Sequence, residues 1–151
     1  MRLWRLSRHA SLDGSGGLKV SGRWHTRGQP ILYCATHPAA AVLEQLVHQE
    51  IRRPEALQGY RMLEIELPDD VQANRIDFVD LPDQWRDHIH LTRRIGDEWL
   101  AGGNTAVLHV PSAVVSATYD ALINPRHGDA RRLQILADQP FAFDSRPLAS
   151  S

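Results

Sequence analysis

Apolar residues along this chain recur with two periods, and the switches between them mark the elements. Residues 31–36 alternate: Ile31, Tyr33 and Ala35 face one way, Leu32, Cys34 and Thr36 the other, which predicts a strand. Residues 60–67 repeat the pattern with Leu63, Ile65 and Leu67 on one face. Shorter strands are predicted at 3–6, 22–25, 106–110, 113–118 and 121–123, and a hairpin from 134–136 and 141–143. A period near 3.6 takes over at 38–52. That helix has Thr36 or His37 as cap, Pro38 in its first turn and an apolar stripe of Ala39, Leu43, Leu46 and Val47. Glu44 falls at the edge of the stripe, beside Val47 and Ile51, where it can face a half-buried cleft. A second helix is predicted over 92–101, capped by Thr92 and stopped by Gly102-Gly103, and a short helix or turn over 82–88. Many short strands with two or three helices define an α+β class with antiparallel or mixed sheets.

Composition narrows the reading only slightly. A chain of 151 residues suits one domain, 1–151, with 147–151 as a frayed tail. The 17 basic residues balance 18 acidic ones, so no global field pulls the chain toward nucleic acid or an anionic membrane. Lys19 is the only lysine; an Arg-rich set suits phosphate forks, although GC-rich coding produces the same bias. Cys34 is the only cysteine, which excludes an internal disulfide and fits a reducing compartment. The start, Met1-Arg2-Leu3-Trp4-Arg5, lacks an apolar signal region, and no apolar run is long enough to span a membrane. A cytoplasmic location is expected.

The candidate chemistry concentrates between Gly22 and Glu44. Arg23 stands between Gly22 and Trp24, where it is either a fork for phosphate oxygens or a surface arginine stacked on Trp24. Tyr33 is a ring to stack on a flat ligand or an ordinary core tyrosine. Glu44 is a carboxylate for an oxocarbenium-like transition state, or a solvated residue paired with His48. Ser112, fixed behind Val110-Pro111, could hold an amide or a ribose or could simply cap a turn. Asn124, before Pro125, could bind ligand or start a turn. The eight histidines show no metal-binding spacing, so no metal is expected. Cys34, mid-strand and facing away from Tyr33, reads as a small buried hydrophobe. No GxGxxG or Walker loop is present. A guanidinium, a ring and a carboxylate from three elements suit a ligand with a diphosphate, a flat leaving group and a cationic transition state. NAD+ has all three.

Taken in order, the motifs resemble those of RES-domain toxins of bacterial toxin–antitoxin systems. The matching pieces are Trp4-Arg5, Gly22-Arg23-Trp24 after the glycine-rich stretch 12–17, and Tyr33 followed by Glu44. Further on come Gly96-Asp97-Glu98-Trp99-Leu100, Val110-Pro111-Ser112, Asn124-Pro125 with His127, and Phe143-Asp144 with Arg146. The chain departs from the family pattern at His25, where Asn often follows the Gly-Arg-Trp triplet, and in a short segment after Asn124-Pro125. The resemblance implies an ADP-ribosyltransferase-like fold of two packed small sheets around an NAD+ cleft. It implies cleavage of the nicotinamide–ribose bond, with NAD+ as substrate. ADP-ribose would pass to a protein, such as phosphoribosyl-pyrophosphate synthetase, or to water or phosphate. It places Arg23, Tyr33, Glu44 and Ser112 in the site, with Arg5 near the cleft. It also implies an Xre-like antitoxin whose C-terminal part plugs the cleft. Two other classes compete: a non-catalytic nucleotide sensor or antitoxin-binding module, and a metal-dependent hydrolase that a chelator would silence.

Overall fold

Period-two alternation builds a seven-stranded sheet, seen in a computed structural model that describes residues 1–48 and 53–142. In chain order the elements are β1 (Arg2–Ser7), α1 (Gly16–Lys19), β2 (Leu32–Ala35), α2 (Pro38–His48), β3 (Arg61–Glu66) and β4 (Ala73–Arg75). Then follow α3 (Ile89–Gly102), β5 (Val107–Pro111), β6 (Tyr119–Ile123) and β7 (Gln134–Pro140). Short 3-10 turns occupy Pro54–Leu57, Phe78–Asp80, Trp85–Asp87 and Gly128–Arg132.

The strand order is β4-β5-β6-β2-β1-β3-β7. All pairings are antiparallel except β4 with β5. The α+β class is as expected, but the two expected sheets are two wings of one. Strands β1 and β3 pair all along from Arg2↔Glu66 to Ser7↔Arg61, whereas β1 meets β2 only at Trp4↔Ala35. That narrow joint lets the wings β4-β5-β6-β2 and β1-β3-β7 share a core. Leu3, Leu63 and Ile65 from one wing pack in a single cluster with Leu32, Val107, Ala121 and Ile123 from the other. Burying such side chains stabilises a fold by roughly 1.5–3 kcal/mol each.

Several elements differ from expectation. The region 22–25 is a turn with one Gly22↔His25 bridge, not a strand. The region 113–118 is also a turn. Ala117 takes a φ of 59°, and the Ser112 hydroxyl captures the N–H groups of Val114 and Val115, which a strand would need for its ladder. The expected hairpin near the end is the single strand β7, running antiparallel along β3 with a register shift between Glu64 and Ile65. Helix α3 begins at Ile89, so Thr92 is an interior residue and not its cap; Gly103 closes it with a φ of 62°. Helix α2 is capped by His37, whose Nδ1 accepts from the Ala39 N–H at 3.0 Å. Residues 49–52 of the predicted helix, Phe143 with Asp144 and Arg146, and the tail 147–151 lie outside the described residues.

The buried face of α2 also differs. Ala40 and Ala41 press against the sheet with Trp4, Ala35 and Met62, and Val42 and Leu46 pack toward Leu6, Leu57 and Tyr60. Ala39, Leu43 and Val47 face out. Small alanines let the helix lie close to the sheet. The face carrying Ala41, Glu44, Gln45 and His48 then turns toward an opening between the wings.

Candidate active site

The turn from Gly22 to His25 is held from beneath by Tyr33. The tyrosine hydroxyl accepts the Trp24 N–H at 3.1 Å and lies 2.7 Å from His25 Nδ1. A Cβ on Gly22 would lie 2.3 Å from that hydroxyl oxygen, so only glycine admits the contact. His25 Nε2 lies 3.2 Å from the Gly17 carbonyl, which requires a proton on Nε2. Nδ1 is then the acceptor for both the Tyr33 hydroxyl and the Gly22 N–H. Burial lowers the His25 pKa and favours this neutral ring. Burial likewise raises Tyr33, which stays a neutral phenol.

Trp24 turns inward and packs on Trp85, ring centroids 5.9 Å apart, within an apolar cluster that includes Leu108 and Leu122. It therefore offers no platform for Arg23, and the stacked-surface reading of that arginine fails. The Arg23 guanidinium instead donates to the Arg86 carbonyl at 2.7 Å. Arg93 donates to the Gly22 carbonyl at 2.8 Å, and Arg86 lies over the Trp85 ring. Among the described residues, none of these three arginines forms an ion pair with a carboxylate. Burial lowers the pKa of Arg23, and repulsion from Arg93 and Arg86 lowers it further. Crowded guanidinium groups bound only to carbonyls await an anion. Sequence reasoning missed Arg86 and Arg93; Arg93 lies in the predicted helix 92–101 and Arg86 in the short segment before it, with no local signal to single them out.

Glu44 faces the same opening from α2. Ser112 Oγ donates to Glu44 Oε1 at 2.5 Å and accepts from Val114 N at 3.1 Å and Val115 N at 2.9 Å. Ser112 is fully buried and is absent from the walls of the opening, where it was expected to meet an amide or ribose; its contact here is with Glu44. Asp120, which sequence reasoning missed, comes from β6, opposite both Ala35 and Val110. Its carboxyl group is hydrogen-bonded to Glu44. Burial first, then that bond and the Glu44 charge, push Asp120 up to about 9. Burial and the neighbouring Glu44 thus disfavour the ionised form of Asp120. A lone acid inside the apolar run Ala121-Leu122-Ile123 was the available signal.

Arg5 donates to the Tyr33 carbonyl at 3.0 Å, while its Nε is buried without a partner. Asp120 Oδ1 is buried and unpartnered as well. Orphaned buried polar atoms mark a place built for something more. Asn124 is different. Its side chain accepts the Arg126 N–H at 3.1 Å and reaches the Leu100 carbonyl at 3.5 Å, so it shapes a turn, and it is not among the residues that line the opening. Cys34 is buried, and its thiol is pushed up to about 11 by that burial.

One cavity of about 570 Å³ gathers Arg5, Arg23, Tyr33, Glu44 and Asp120 in its walls. That size suits a small-molecule site. The orphaned Arg5 Nε, the unpaired guanidinium groups and the carboxyl pair fit the two chemistries of a dinucleotide, its central diphosphate and a ribosyl group beside it.

An α+β domain with arginines and a carboxyl pair lining one cleft is the class that fold and site define. The sequence matches the RES domain over residues 2–144, and the chain belongs to that family. It is 43% identical over 146 residues to Toxin Res of Pseudomonas putida, covering 97% of this chain and 99% of that protein. It is 32% identical over 153 residues to the Prs ADP-ribosylating toxin of a Sphingobium species, covering 95% and 94%. Among solved structures it is similar to the Mycobacterium tuberculosis MbcT-MbcA toxin-antitoxin complex, with a TM-score of 0.68 and 14% identity over 93% of this chain and 84% of that one. That likeness shows a shared fold.

Proposed function

We propose that this chain is the toxin of a toxin–antitoxin pair, and that it cleaves the nicotinamide–ribose bond of NAD+. The observation that carries the reading is the shared cavity with Arg23 on one wall and Glu44 on another. Arg23, with Arg86, Arg93 and Arg5 nearby, holds the diphosphate. Tyr33 keeps the Gly22–His25 turn in place and offers its ring to the nicotinamide end. Glu44, braced by Ser112 and Asp120, bonds a ribose hydroxyl and stabilises positive charge at C1′. The C1′–N bond breaks, nicotinamide leaves as a neutral base with the electron pair, and a nucleophile captures C1′ and gives up a proton. The names of the relatives support NAD+ as substrate and ADP-ribose as the group transferred. The acceptor is a protein side chain, phosphoribosyl-pyrophosphate synthetase among the candidates, or else water or phosphate. Labelled NAD+ in a lysate separates these: label on one protein band means transfer, and label only in small molecules means depletion.

The proposed partner is an Xre-like antitoxin that covers the cleft. Supporting it, Val20 stands exposed in the wall of the opening, with Leu18 exposed two residues before it. Among the described residues, no helix is long and apolar enough to cross a membrane. The proposal places the protein in the cytoplasm, where NAD+ is available.

The test is nicotinamide release from NAD+ by the wild type and by Glu44→Gln. Wild-type turnover is expected, with a fall of about 10²- to 10³-fold in the variant, as for loss of one electrostatic contact to a transition state. Unchanged melting shows that the variant folds. Binding of NAD+ by the wild type without turnover would favour the sensor. Loss of turnover with a chelator would favour the metal hydrolase.

A further inference from the structure

We propose that Asp120 acts as a neutral acid that positions Glu44, donating its carboxyl proton to the Glu44 carboxylate from the sheet side of the cleft. This rests on the NAD+ reading only in its consequence for rate. The arrangement itself is geometric. Asp120 lies between β2 and β5, at the Ala35 and Val110 positions, and reaches the cavity beneath α2. Its carboxyl group meets Glu44, while its Oδ1 has no other partner and no water-facing side. Two ionised carboxylates cannot share so enclosed a place, and an acid that keeps its proton can donate it. Ser112 donates to Glu44 from one side at 2.5 Å, and Asp120 supplies the second bond. Two donors, Asp120 in β6 and Ser112 just past the end of β5, hold a carboxylate that stands on a helix. Glu44 therefore meets the ribose with its orientation already fixed.

The groups around Asp120 are few. Glu44 comes from α2, with His48 further along the same cavity wall. Arg5 comes from β1 and Cys34 from β2, and the β5 residue His109 bonds the Asp120 backbone. Among the described residues Arg5 forms no ion pair, so burial and Glu44 are what raise Asp120. The unfolded chain has the ordinary value of 3.8, so the native protein holds one more proton from there up to about 9. Stability contributed at this site is then present at low pH and lost as pH rises through that window.

Two variants test this. Asp120→Ala removes the donor and lowers the rate of nicotinamide release about tenfold or more. Asp120→Asn keeps a neutral donor of the same shape and recovers most of that rate. The wild type shows an alkaline limb near pH 9, and Asp120→Asn lacks it. The melting temperature of Asp120→Asn gains on that of the wild type as pH rises toward 9. An Asn variant as slow as the Ala variant, or one that keeps the alkaline limb, overturns the proposal. So does a melting difference that ignores pH. If the wild type releases no nicotinamide at all, the NAD+ reading falls, and the melting curves alone decide where the proton sits.

Discussion

Ser112 does not line the cavity, yet it holds Glu44, the residue to which the proposed chemistry is assigned. Its hydroxyl spends its one proton on Glu44 and both lone pairs on the turn that follows β5. Ser112→Ala therefore frees Glu44 to swing and strands two backbone N–H groups. Nicotinamide release should fall about tenfold, mostly in kcat, and stability should drop by about 1–3 kcal/mol. A KM effect with unchanged kcat would mean that Ser112 contacts substrate after all. The same residue shows what the sequence could and could not tell. Arg23, Tyr33 and Glu44, singled out by the order of motifs that the chain shares with its family, line one cavity. Asp120, Arg86 and Arg93 were not singled out. Their roles come from strand register and helix packing that bring together residues far apart in the chain, as in Ala35↔Asp120 and the bond from Arg93 to the Gly22 carbonyl.

At the scale of elements, α3 is the support of the arginine turn. A Cβ on Gly96 would lie 1.6 Å from the Trp24 carbonyl oxygen, so the helix and the turn are in backbone contact. Asp97 then accepts from the Thr26 N–H at 2.9 Å and from its hydroxyl at 2.7 Å. The Thr92 hydroxyl donates to the Arg23 carbonyl at 2.6 Å. Gly96→Ala should push the helix off the turn, lower stability by about 3 kcal/mol and raise the KM for NAD+ through displaced Arg23. Denaturant melts and kinetics together check this, and a variant with wild-type values of both would break the link between helix and turn. The motif Gly96-Asp97 was visible in the sequence, but not what it touches. Elements with strong alternation, such as 60–67, were legible for the opposite reason: their own burial fixes their facing. The three-residue β4 has only exposed positions and no pattern to read. The apolar run after Ser112 has the pattern of a strand and loses it to one hydroxyl.

The whole molecule is a sheet in two wings with a cleft where they join. The joint is a single residue pair, and the residues that line the cleft come from both wings and from α2. Basic groups gather around the Gly22–His25 turn, and the acid pair sits between α2 and β6. The fold thereby brings arginines and carboxyl groups into one cavity, although the chain as a whole is nearly neutral. The measurement that meets this claim most directly is a crystal structure of the Glu44→Gln protein with NAD+. It should place the diphosphate against Arg23, Arg86 and Arg93, and the nicotinamide ribose within hydrogen-bonding distance of residue 44. NAD+ bound elsewhere, or lying with its diphosphate on the acidic side, would contradict the account.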